Sequence, residues 1–478
     1  MAGEEKWAKF PMTGPAHESV EEVELDQWAS TIVDAVPIVV EGELHLMKRP
    51  GLTAWITLGT NLPIDGLYWW DKQRCVLVVS AGRVWKITDQ AGTITEITGS
   101  TALRQSALVS FADDGTKCMM ANGGQMVYTD LTTLTTLADA DAPQDATHVA
   151  YLDGYIVAND SGTGKVQFSN LNDMTAWNAA DYFTGESRPD DVAAMKEGFR
   201  ELALVGRESV EFWANDGVTP FSRITGSAQP FGISAPQSLA LVGSTWMWLS
   251  DKRQFVTMQG RQVVTVTSPY DRVMQRYQAV DDAVGYTLTV DGMPLYILNF
   301  PTARQSLAYN YVTQQWCKWG SWDVNRAQYE RYRGQTYCYA KGWNFHLVGD
   351  YANGIIYKAS RDVFTDNGNP IRTLIRSGHV SHGLEATKIS DNFRVRCKRG
   401  AGNSDVANPQ VMMRQRIDNK PRWSNERWKS LGRVGQHELT IDWRRNGVYK
   451  TVQRELVHSD NSDFVLVGAK EDFTWVGQ

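Results

Sequence analysis

Cysteine, histidine and long apolar runs are all scarce in this 478-residue chain. The five cysteines (Cys75, Cys118, Cys317, Cys338 and Cys397) are odd in number, widely separated and never in a CxxC pair. Such spacing signals neither a disulfide framework nor a zinc site, and it suits synthesis in a reducing compartment. No apolar run reaches the roughly 20 residues that a membrane-crossing helix needs. The N-terminus, MAGEEKWAKF, carries acids where a secretion signal has a basic stretch followed by an apolar one. Neither a secreted precursor nor a membrane-inserted protein is expected.

Catalytic signatures are missing as well. There is no G-x-S-x-G elbow and no H-E-x-x-H helix. The stretch SGTGKV at 161–166 imitates the end of a phosphate loop, but Asn159 replaces the leading glycine and Val166 the magnesium-binding hydroxyl. It reads as a β-turn. His379 and His382 form an HxxH pair that strand alternation would send to opposite faces, so no metal ligand is assigned. The acidic pairs Asp113–Asp114, Asp190–Asp191 and Asp281–Asp282 lie beside turns, where aspartate commonly caps backbone amides. IDNKPRW at 417–423 keeps only the Asp and Trp of the sialidase Asp-box, itself a structural turn. No catalytic residue, cofactor or metal is assigned, and the chain is read as a non-enzyme.

What the sequence has in abundance is 18 Trp, 18 Tyr and 40 Gly. Flat aromatic side chains punctuated by glycine turns favour sheets over helices. A unit of apolar strand, short turn and aromatic strand recurs at CVLVVSAGRVWKI, KCMMANGGQMVYTD, DGYIVANDSGTGKVQFSN and ELALVGRESVEFWAND. Its turn glycines Gly82, Gly123, Gly164 and Gly206 are 41, 41 and 42 residues apart. Looser copies follow from Ser244, Pro294 and Thr336. A strand-rich repeat of this length is that of a propeller blade, because one small sheet cannot bury both faces alone. The reading is an all-β fold: a propeller of six or seven blades over residues 49–362, with a β-sandwich-like module at 363–478 that is separate or packs back on the propeller. Residues 1–48, rich in acids, read as an arm or an interaction segment. Short helices are expected only near 271–277 and 18–28.

Charge is divided along the chain. Residues 365–478 hold 19 Lys and Arg against 13 Asp and Glu, net +6, leaving net −12 for the remainder. Alternation in NFRVRCKRG puts Arg394, Arg396 and Lys398 on one face, with Arg399 beyond, and VMMRQRI pairs Arg414 with Arg416. Arg427 and Arg433 extend this basic set. Contact between copies of the chain is the preferred role, ahead of a solvated face or contact with an anionic polymer such as DNA. Bulky loop residues Pro220, Phe221, Arg223, Pro230 and Phe231 are gate or interface candidates.

Several stretches taken in order carry a resemblance: RPGL at 49–52, AYLDGYIVAND at 150–160 and FSNLNDMTAWNAADYFTGESRPDDV at 168–192. They continue with ELALVGRESVEFWANDGVTPFSRITGSAQPFGISAPQS at 201–238, YILNFPTARQSLAYNYVTQQWCKW at 296–319 and WSNERWKSLGRVGQHELTIDWRRNG at 423–447. Together they resemble the packaged-DNA stabilisation, or tail hub and nozzle, proteins of short-tailed double-stranded DNA phages. The sequence departs from that pattern at Asn419, Lys420 and Pro421, and before Arg49.

The resemblance implies a virion protein made in the host cytoplasm, a homo-hexamer around an axis below the portal-adaptor ring. It would continue the DNA channel, help retain packaged DNA, take part in genome ejection, and contact tail fibres or spikes and a plug or needle. Double-stranded DNA would pass through the lumen without sequence recognition. The alternatives are a carbohydrate-binding or glycoside-cleaving propeller on the phage surface and a cellular propeller scaffold.

Overall fold

The computed structural model describes residues 6–12, 31–100, 103–185, 188, 190–217, 220–382, 386–418 and 420–476. Among them the fold is almost wholly antiparallel β-sheet, with one helix, Asp271–Gln275, and one 3-10 turn, Pro236–Ser238. The helix expected near 271–277 is therefore present and short. That expected at 18–28 lies outside the described residues.

Six four-stranded blades follow one another along the chain, at residues 64–97, 110–136, 149–184, 192–223, 240–265 and 284–323. A seventh, composite sheet closes the ring. Its inner strands are Gly334–Ala340, Phe345–Asp350 and Ile355–Ser360, and its outer strand is Gly51–Thr57, taken from the start of the propeller. The first strand of the first blade packs on Gly334–Ala340 of the last. Residues on first strands surround an axial cavity of about 500 Å³, among them Tyr68, Lys196, Tyr286 and Tyr337.

The strand Cys75–Ser80 shows why the repeat folds this way. Every residue in it is buried. Cys75, Leu77 and Val79 pack toward the second blade, while Val76 and Val78 pack toward the closing blade. A strand covered on both faces must be apolar throughout, and alternation feeds its side chains into two cores. Gly82, Gly123, Gly164 and Gly206 all lie at the junction between second and third strands of successive blades. Gly82 and Gly123 take positive φ there, 72° and 87°. Asn122 and Asn159, just before that turn, hold the loop that enters their own blade: Asn122 Oδ1 accepts from the Arg104 amide at 3.1 Å, and Asn159 Oδ1 from the His148 amide at 2.8 Å.

The C-terminal module is a two-layer sandwich. One sheet runs Ala35–Val40, Glu43–Lys48, Val465–Trp475, Lys388–Cys397 and Ile441–Arg444, with Lys6–Phe10 and Val448–Tyr449 added on its sides. The other runs Thr31–Val33, Thr373–Arg376, Val452–His458, Gln410–Ile417 and Arg427–Ser430, and joins the blade at 284–323 through a parallel bridge of Val33 to Lys318. The described part of the stretch before Arg49 is thus built into the module rather than forming an arm. Val36, Leu46 and Met47 are fully buried there, and strands with such a face belong in a sheet. Blade residues Leu288 and Val348 share one core with module residues Phe393 and Trp443.

Arg49 sits where the two parts meet, buried completely. Its Nε donates to Asp34 Oδ1 at 2.7 Å, Nη1 to Asp366 Oδ1 at 2.8 Å and to the Pro50 carbonyl at 3.2 Å, and Nη2 to the Gly320 carbonyl at 2.7 Å and to Asp366 Oδ2. All five guanidinium hydrogens are therefore used. Burial raises the Asp34 carboxyl to about 6 despite the charge of Arg49.

A second buried ion pair lies inside the sandwich. Arg454 Nη2 pairs with Glu471 Oε1, which also accepts from Ser390 Oγ at 2.5 Å, while His382 Nε2 lies 2.9 Å from Oε2. Burial alone would raise the Glu471 pKa; Arg454, His382 and Ser390 outweigh it and hold it at about 2.

Candidate interaction faces of the module

The outer face of the second sheet follows from cross-strand register. Thr373–Arg376 and Gln410–Ile417 both pair with Val452–His458, placing Arg376 and Arg414 on either side of Glu455. The Glu455 side chain is fully buried. Its Oε2 accepts from Arg376 Nη2 at 2.7 Å and its Oε1 from Arg414 Nε at 2.7 Å. One row along, Arg416 Nε donates to Gln453 Oε1 at 2.7 Å.

Trp423 covers all three arginines, with guanidinium carbons 5.3, 4.8 and 4.9 Å from its ring centre for Arg376, Arg414 and Arg416. Such stacking favours guanidinium over ammonium. Arg372 adds a fourth cation nearby, 4.6 Å over Trp322. Four arginines share this face with one buried carboxylate, so it carries net positive charge and a half-exposed indole.

The remaining basic candidates lie elsewhere. Arg394, Arg396 and Lys398 alternate with buried Phe393, Val395 and Cys397, as the pattern predicts, but on the outer face of the other sheet. There Lys398 pairs with Asp463 at 2.6 Å. Arg399 is exposed and donates to the Leu439 carbonyl at 3.3 Å. Arg427 bridges the two sheets, donating to Asn446 Oδ1 and the Arg444 carbonyl, each at 2.7 Å. Arg433 is exposed on a loop. The eight residues therefore do not form one surface. Sequence reasoning missed Arg372 and Arg376, although their spacing in RTLIR puts them on one side of a strand.

The loop candidates divide too. Phe221 is not an exposed tip: it is buried among Tyr155, Phe168, Phe183 and Trp213, beside the outermost strand of its blade, Ser222–Arg223. An aromatic ring surrounded by four others stabilises the blade packing and cannot swing as a gate. Arg223 is exposed and 4.0 Å from Glu211. Pro220 and Phe231 are half-buried and Pro230 exposed.

Other singled-out groups have structural partners. SGTGKV is the turn between Tyr155–Asn159 and Lys165–Asn170, closed by the Asp160 amide donating to the Lys165 carbonyl at 3.0 Å. Asp114 Oδ1 takes the Thr116 and Lys117 amides, Asp190 Oδ2 the Glu208 and Ser209 amides, and Asp282 Oδ2 the Thr302 amide. His382 stacks on Phe473 and is engaged with Glu471. No cluster of three or more His, Cys, Asp or Glu that could hold a metal occurs among the described residues.

Residues 36–363 match the family model of phage stabilisation proteins, described as bacteriophage P22 Gp10, beta-propeller. The chain belongs to this family. The match spans the ring together with the first strands of the module. As a phage stabilisation protein it is a structural component of the phage tail, in a family that stabilises packaged DNA. No curated protein matches it. Solved structures resemble the stabilisation protein weakly. BamB from Moraxella catarrhalis is 10% identical, with a TM-score of 0.41, 69% of this chain covered and 97% of that one. YCF48 from Cyanidioschyzon merolae is 11% identical, with a TM-score of 0.42 and coverages of 65% and 98%. A chain of a mitotic checkpoint complex is 14% identical, with a TM-score of 0.41 and coverages of 71% and 98%.

Proposed function

We propose that copies of this chain form a closed ring, a hexamer in the simplest reading, that continues the DNA channel below the portal-adaptor assembly and helps retain the packaged genome. Family membership is the observation that carries this reading. The charge division supports the ring. In a cyclic assembly one patch meets a different patch of the next copy. The arginine face around Trp423 is basic, and residues 49–364, outside the module, hold 26 Lys and Arg against 31 Asp and Glu, net −5. Each module would then face an acidic surface of its neighbour. DNA would slide through without sequence recognition, because a net-acidic wall makes few phosphate contacts. Loops at the blade ends offer places for fibres or spikes and for a plug or needle.

Imaging the purified full-length chain and isolated virion tails tests the reading. Rings of one diameter are expected in both preparations. A chain that stays monomeric at every concentration and is absent from virions contradicts it.

A further inference from the structure

A cleft of about 400 Å³ opens between the blade at 284–323 and the closing blade. Its walls include Pro50, Leu288, Val290 and the ring of Phe345, and its polar groups come from three strands and the turns beside them. Lys358 is the unusual member. Its ammonium lies 3.7 Å from the Phe345 ring centre and 4.7 Å from that of Trp55. Among the described residues it makes no ion pair or hydrogen bond, and burial lowers its pKa.

The neighbouring groups are mostly donors. Asn344 Oδ1 is taken by the Tyr339 hydroxyl at 2.9 Å, leaving the amide nitrogen to donate. The Tyr337 hydroxyl lies 2.8 Å from His346 Nδ1; with that hydroxyl donating, the imidazole carries its hydrogen on Nε2. The single carboxylate lining the cleft, Asp291, is matched by Arg361 at 3.3 Å. One positive charge, that of Lys358, is left without a counter-charge beside an apolar wall and two side-chain donors.

We propose that this cleft binds a carboxylated sugar ring, of the uronic acid class, with its carboxylate on Lys358, its hydroxyls on Asn344 and His346, and its C–H face against the apolar wall. The volume falls in the usual range for small-molecule sites. A charge-assisted bond to a lysine held by two aromatic rings needs little reorganisation on binding. The inference does not depend on ring formation.

Titration calorimetry on the full chain with glucuronate, glucose and inorganic phosphate tests it. Glucuronate is expected to bind, glucose to give no heat, and phosphate to compete poorly. Lys358→Met should weaken glucuronate binding about tenfold or more, and Lys358→Arg should retain part of it. Near-ultraviolet circular dichroism checks that each variant is folded. Absence of glucuronate binding to the wild-type chain overturns the proposal. So does equal binding of glucose, or phosphate competing as well as glucuronate, which would mark a bare anion site. Unchanged affinity in folded Lys358→Met overturns it equally.

Discussion

Arg49 Nη1 donates to Asp366 Oδ1 at 2.8 Å, although 317 positions separate the two residues in the chain. Arg49 stands just before the strand that closes the propeller, and Asp366 just after the last blade. The bond therefore locks ring closure and module attachment together. Arg49→Met would leave Asp34 and Asp366 buried without their counter-ion, a loss of about 3–5 kcal/mol. Arg49→Lys should fare little better, since an ammonium cannot fill five fixed donor positions. Chemical denaturation checks both, with a lower midpoint expected in each variant.

The Arg454–Glu471 pair predicts a specific acid response. The Glu471 pKa is depressed from 4.5 to about 2 in the folded chain, so its stabilisation is complete above 4.5 and disappears as pH falls toward 2. Glu471→Gln should destabilise by about 3–5 kcal/mol at neutral pH, because Arg454 is left buried and uncompensated. The variant should also lose part of the wild-type pH dependence between 4.5 and 2, which urea titrations across that window would read.

Buried histidines act at higher pH. Burial, with Lys196 contributing, lowers His148 to about 4, and burial with Arg416 does the same to His379. Folding holds both neutral, so stability is full above the unfolded value near 6.5 and declines as pH drops from there toward 4. His148→Gln should flatten the stability profile between pH 6.5 and 4. An unchanged slope would show that this histidine is solvated in the folded state.

The arginine face predicts a salt-sensitive association. Charge reversal of Arg372, half-exposed and stacked on Trp322, should reduce ring formation about tenfold and shift its salt dependence. Subunit stability should change by under ~1 kcal/mol, as for other surface ion contacts. Sedimentation at two salt concentrations measures the first effect and thermal melting the second.

The propeller was legible because its period is enforced by packing: a strand such as Cys75–Ser80, covered on both faces, must be apolar throughout. The turn glycines mark the same junction in four blades even where, as at Gly164 and Gly206, φ is not positive. The module was harder to read. Its sheets combine residues 31–48 with strands more than 300 positions later, and no local pattern encodes such pairings. Alternation correctly gave the exposed side of Arg394 and Arg396, but it could not reveal that Arg414 and Arg416 lie on another sheet. Phe221 looked like a loop tip because Pro220 and nearby glycines surround it; its burial depends on aromatic rings from four earlier strands.

The most direct test of the central claim is DNA retention in phage particles assembled without this chain. Heads are expected to fill normally and then lose their DNA, measured as nuclease-sensitive genome in purified particles, with retention restored when the purified chain is added back promptly. Particles that keep their full genome and differ only in attachment to the host would contradict the claim.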